Sequence, residues 1–235
     1  MTQTLDARGL APGAADHRTT RIGAGLGIVS IVLVATGFAV AAATETTIAS
    51  PPSEVAAFYT GAGLARTLTG GIVEMLGLLL FLPFAAVLTG RVRGDGLSGD
   101  LLAPTARMAA TVYVTICLAP GMSAGAAALW LAHHGSADPV VLTALNDLRV
   151  LSYFVALVAF ALFLVTIGTA GRLTGRLPGW AVWSALAIGV AIVASLPWAA
   201  ANLIDVFGLL GLLWVVAVAV DLLRNPAVPR SAPVE

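Results

Sequence analysis

Six long apolar runs divide this chain, and they constrain its fold before any single residue is weighed. About 20 predominantly apolar residues carry a helix across a hydrocarbon core. In lipid only helices and closed barrels satisfy their own backbone. The runs lie at about residues 22–44, 66–89 and 107–131, then a fourth ending near Arg172, then 180–198 and 203–223. An all-α, polytopic membrane helical bundle of six transmembrane helices is therefore expected. Only 10% of the residues are charged and 59% are hydrophobic, whereas a soluble domain carries about 25% charge. The 235 residues leave no room for a separate soluble domain. The sequence thus divides into a disordered tail (1–21), a transmembrane domain (22–223) and a proline-rich tail (224–235).

The basic residues orient the bundle. All 12 are arginine, and ten of them fall in four of the seven hydrophilic segments, alternate along the chain. Segments rich in Arg stay cytoplasmic, so both termini are expected inside, with outward loops around Glu54, His133 and Ala200. Arginine without lysine, together with abundant Ala, Gly, Val and Leu, suggests a bacterial genome rich in G and C, and hence the bacterial plasma membrane. The net charge of zero gives no reason to expect a nucleic-acid partner; the partner is the lipid bilayer. Ala41-Ala42-Ala43 imitates a signal cleavage site, but a signal's apolar region is only 7–15 residues long. Trp130 and Trp198 fall at outer ends and Trp180 and Trp183 at an inner end, where indole rings favour the interface; Trp214 alone is mid-span.

Local signals add detail. Ser53 as an N-cap, with Glu54 in the first turn, predicts a short external helix before the second span. Asp138-Pro139 predicts another, leading through Asn146, Asp147 and Arg149 into the fourth. Pro83 and Pro120-Gly121 are kink candidates. Gly23 and Gly27 form a small-xxx-small pair suited to close helix contact. Leu88-Thr89-Gly90-Arg91 and Leu173-Thr174-Gly175-Arg176 hint at an internal repeat relating two helical hairpins.

Few residues are equipped for chemistry. Glu74 lies about eight residues into the second span, where an ionisable group is costly and faces the bundle or a watery cavity. Gly70 and Gly77 flank it at i−4 and i+3, open to the approach of another backbone or water. Two roles fit: a hydrogen bond between helices, or a proton- or cation-sensing carboxylate. Asp205, near the outer end of the sixth span, is placed to pair with Arg66 or Arg149. Together Glu74, Asp205, Arg66, Arg149 and Asn202 make a candidate intramembrane polar site, either a clasp or an outward-facing vestibule. Adjacent His133 and His134 suggest a metal, but a third outer histidine is missing and His17 lies in the tail; solvated loop residues are the simpler reading. Thr111, Thr115 and Ser123 are expected to bond their own backbone. No zinc, nucleophile-elbow or diphosphate-binding motif occurs. No histidine in any span offers axial haem ligation, and the one cysteine, Cys117, excludes dithiol chemistry. No catalytic residue, metal or cofactor is expected.

Pro51-Pro52-Ser53-Glu54-Val55-Ala56-Ala57-Phe58-Tyr59, Leu82-Pro83-Phe84, Arg176-Leu177-Pro178-Gly179-Trp180 and Leu213-Trp214-Val215 resemble a pattern in uncharacterised actinobacterial multi-spanning integral membrane proteins, over residues 51–223. That resemblance implies a membrane fold and carries no functional residue. Three classes stay open: a non-enzymatic structural or accessory membrane protein; a small transporter or channel around Glu74 and Asp205, as a homodimer because six helices often form half of a pathway; and an intramembrane lipid-modifying enzyme. A continuous polar path would mark the second, and two or three polar side chains converging near the outer interface the third.

Overall fold

The computed structural model describes residues 12–41, 46–48, 50–61, 63–135, 138–197 and 203–226, and only the backbone of 12–16 and 203. Asn202, Trp198, Glu45, the turn expected at 199–202 and most of both tails lie outside them. The described residues are helical, with no strand among them. They form α1 (Pro12–Ala41), α2 (Pro52–Gly61), α3 (Leu64–Val92), α4 (Ala103–Ile116), α5 (Ser123–His133), α6 (Pro139–Thr174), α7 (Gly179–Ser195) and α8 (Leu203–Arg224). Two π-helical stretches, Ser98–Leu102 and Cys117–Met122, join with α4 and α5 into one 36-residue helix. Five helices are long and apolar enough to cross a membrane; α7, at 17 residues, is a shorter apolar one, at the lower limit of spanning length. This is the expected helical membrane bundle.

Several local expectations are refined. α1 begins at Pro12, not near residue 22, and carries Arg18 and Arg21 within it; arginine is a good helix former and proline suits the first position. α2 also begins on a proline, Pro52, and its Val55 N–H donates to the Pro51 carbonyl. Ser53 therefore sits inside the first turn and does not cap it, because the fixed φ of Pro52 already sets the helix start. Asp138 does cap α6, its carboxylate accepting from Val140 N–H at 2.8 Å. The helix it begins is continuous with the fourth span. At Pro120 the backbone widens into a π turn, which accommodates the missing N–H and the ring's clash with the preceding turn. α3 runs unbroken through Pro83.

Packing follows the small residues. α1 and α3 meet backbone to backbone: a Cβ on Gly37 would stand 2.6 Å from the Gly70 carbonyl oxygen, and one on Gly77 2.8 Å from that of Ser30. Gly23 and Gly27 lie on the same seam, against Val87 and Phe84. α6 is buried on several faces, by Ala156, Phe160, Phe163, Leu164, Ile167 and Ala170; a helix that is apolar all round belongs in the middle. A second, smaller cluster of Val55, Tyr59, Ala128, Leu129 and Leu142 fastens α2 to α5 and α6.

Candidate functional site

Polar groups gather where α6 begins. The segment after α1 lies against it: Thr46 Oγ1 donates to Asn146 Oδ1 at 2.6 Å, and Asn146 Nδ2 donates to the Thr47 carbonyl at 3.3 Å. Arg149, one turn on, donates through Nη2 to the Thr46 carbonyl at 3.2 Å, and to Thr46 Oγ1 and Asn146 Oδ1 at 3.3 Å each. Asn146 and Thr46 are buried, and bonds among buried amide, hydroxyl and guanidinium groups strengthen in low dielectric. The Arg149 stem crosses Gly125 of α5, its Cδ 3.1 Å from where a Cβ would stand. Tyr59 of α2 completes the group, its hydroxyl against the Arg149 guanidinium. Burial pushes the Tyr59 phenol up, while the charge of Arg149 pulls it back.

The residues expected to form one vestibule are distributed over separate contacts. Arg66 Nε donates to the Val40 carbonyl at 2.7 Å, near the end of α1. Asp205 accepts from the Tyr153 hydroxyl, tying α8 to α6. Arg149 joins Thr46 and Asn146, and Asn202 is outside the described residues. Glu74 sits on the α1–α3 seam, where a Cβ on Gly37 would be 2.5 Å from its backbone nitrogen; the approach of another backbone expected at Gly70 and Gly77 is that of α1. Its carboxyl lies within electrostatic reach of Tyr113 and Cys117, and Tyr113 within reach of Tyr153. A sparse polar line thus runs from Asp205 through Tyr153 and Tyr113 to Glu74.

An aromatic cluster adjoins Tyr113. Phe81 contacts Tyr113, Phe160 and Phe163 edge-on at centroid distances of 5.7, 6.1 and 5.4 Å, and Tyr113 lies 5.0 Å from Phe160. Beyond it, at the opposite end of the bundle, Arg91 Nε donates to the Arg176 carbonyl at 3.3 Å and Nη1 to the Pro226 carbonyl at 3.4 Å. Arg176 returns hydrogen bonds to the carbonyls of Arg91 and Arg93. The two Leu-Thr-Gly-Arg sequences therefore touch. Their conformations differ, since Gly90 continues α3 whereas Gly175 ends α6 in the left-handed region at φ +62°.

His133 and His134 set Nδ1 against the carbonyls of Leu129 and Trp130, at 3.0 and 2.9 Å. No group of three metal-ligating side chains occurs among the described residues. Trp130, Trp180 and Trp183 are exposed near the bundle ends, the last beneath Arg172 at 4.8 Å. The mid-span Trp214 is buried and donates to the Ala181 carbonyl at 3.0 Å.

Fold and site together define a multi-pass helical membrane protein with one polar cluster at each end. No protein-family model matches the chain, nor does any curated protein or solved structure. Sequence reasoning missed Thr46, Tyr59, Tyr113 and Tyr153. A tyrosine on an apolar helix face is the available signal, because its buried hydroxyl needs a partner.

Proposed function

We propose that this is a non-enzymatic integral membrane protein of structural or accessory role, seated in a bacterial plasma membrane with both termini cytoplasmic. One observation carries the reading: the hydroxyls largely bond carbonyls of their own helices, and the polar side chains that reach across to another segment end largely on its backbone carbonyls. Arg66 meets Val40, Arg149 meets Thr46, Arg91 meets Arg176 and Pro226, and Trp214 meets Ala181. The arginine distribution supports the orientation, which places the Arg149 cluster outside. The resemblance to actinobacterial multi-spanning proteins is part of the same proposal and supports only its membrane setting.

A second reading, a small proton-coupled transporter working as a homodimer, is favoured by the line Asp205, Tyr153, Tyr113 and Glu74. Against it stand Phe81, Phe160 and Phe163, which pack around Tyr113 with no polar group of their own. Reconstituted vesicles carrying a trapped pH dye separate the two. Proton flux no faster than in protein-free vesicles is expected, and a flux abolished by Glu74→Gln would establish the transporter. For orientation, Ser53→Cys in a Cys117→Ser background should react with an impermeant maleimide in intact cells while Asp95→Cys does not. The reverse pattern would invert the topology.

A further inference from the structure

α6 is buried on several faces, yet one ridge of it is open. Leu148, Leu151, Val155, Val158 and Leu162 are 39–53% exposed, and the exposed Ala144 begins the series. From Ala144 onward they follow one another in alternate steps of four and three residues. That is the spacing of a coiled-coil seam, a repeat of about 3.5 that keeps one line of side chains facing a partner helix. The neighbours within the chain hold α6 by other residues. α7 meets it at Ala161 and Val165, α8 at Leu157 and Phe160, and α5 at Leu142 and Arg149.

Lipid accounts for only part of this ridge. The 36 residues of α6 extend about 54 Å at 1.5 Å each, against a hydrocarbon core of about 30 Å. Exposed Arg172 and Trp183, stacked at 4.8 Å, mark one edge of that core. About 20 residues back from Arg172, the span of a hydrocarbon core, the helix reaches Ser152. Tyr153 with Asp205 and Arg149 with Thr46 lie at this second edge. Ala144, Leu148 and the exposed Val140 and Val141 therefore stand beyond the hydrocarbon, where an open apolar ridge marks a protein contact. No exposed residue of α6 between Val140 and Leu162 carries a charge, so the ridge repels no copy of itself and selects no charged partner. Two copies in one membrane stand the same way up, which brings the two ridges together about a two-fold axis along the membrane normal. We propose that this ridge is the interface between two copies of the chain, closing α6 against α6 from Ala144 to Leu162 in a left-handed crossing. The pairing stands apart from the transporter reading, since an accessory protein pairs as readily as a transporter.

The test uses the full chain in lipid vesicles, dilute enough that chance encounters are few. In a Cys117→Ser background, Ala144→Cys, Leu151→Cys and Val158→Cys should each form disulfide-linked pairs under mild oxidation. Ala126→Cys, exposed on α5 one residue from the Gly125–Arg149 contact, should not. Co-purification of two differently tagged copies supplies the second measurement. Leu148→Glu and Leu148→Lys should each weaken pairing about tenfold or more, because like charges then meet across the axis. Mixing the two variants should restore it, a rescue that a folding defect cannot produce. Linking at Ala126→Cys as strong as at Ala144→Cys would mean random collision and overturn the interface. Absence of linked pairs along the ridge would do the same, as would a mixture of the charged variants that pairs no better than either alone.

Discussion

Each end of the bundle is fastened by an arginine that reaches a distant carbonyl, yet the two differ in what is left over. Arg91 is nearly buried and engages Arg176 and Pro226, Arg176 answers with its own hydrogen bonds, and Asp221 supplies an opposing charge. Arg149 reaches Thr46 and Asn146 at 3.2–3.3 Å and retains a buried Nε without a partner. The first arrangement is closed on itself. The second sets its guanidinium against the Tyr59 hydroxyl, beneath a separately anchored helix.

The largest expected effect tests the closed end. Arg91→Ala leaves the Arg176 and Pro226 carbonyls short of donors and Asp221 without its cation, a loss of about 2–4 kcal/mol. Its melting temperature in detergent should fall further than that of any variant at the other end. If Arg149→Ala proves the more damaging, the contrast is wrong. For Arg149→Ala the expected loss is smaller, about 1–2 kcal/mol, because deleting the side chain also removes the unfilled Nε.

Glu74 lies between the two clusters. If its carboxyl serves as a packing hydrogen bond, Glu74→Gln keeps most of the stability while Glu74→Leu loses on the order of 1–2 kcal/mol. Equal instability of both variants in a thermal melt would mean that the carboxylate is ionised and paired.

The smallest effect is at Tyr59. Its raised pKa favours the neutral phenol in the folded state, so this contribution is complete below the ordinary tyrosine value of about 10 and is lost as pH rises through the higher folded value. Tyr59→Phe should consequently lose less stability than the parent between about pH 9 and 11. Parallel alkaline curves would show that Tyr59 is not shielded as described.

Much of this architecture is legible in the chain because hydrocarbon imposes it. A run of about 20 apolar residues has few alternatives to a helix, and the cap at Asp138 is equally local. Ser53 misled because Pro52 had already fixed the helix start. Pro120 announced a disturbance without revealing that a π turn would absorb it. The Leu-Thr-Gly-Arg pair was visible as a repetition, but its meaning lay in contact between the copies, which no one-dimensional pattern encodes. Thr46 carried no local signal at all, since its partner stands 100 residues away. Arg66, Arg149, Asp205 and Glu74 were recognisable as costly residues, but not their partners, because a polar group near a membrane edge is satisfied by whichever carbonyl or hydroxyl the packing brings close.

That separation of 100 residues between Thr46 and Asn146 has a consequence in time. At roughly 5–20 residues per second of synthesis, Asn146 leaves the ribosome about 5–20 s after Thr46. Through that interval the first two spans can already be threaded, while the segment joining them still lacks its mate. A nascent chain arrested before residue 146 should therefore be cut by an external protease between the first and second spans, and one arrested after the fourth span should resist. Biogenesis would then carry its own milestone, at which the arrival of the fourth helix closes a loop laid down at the beginning.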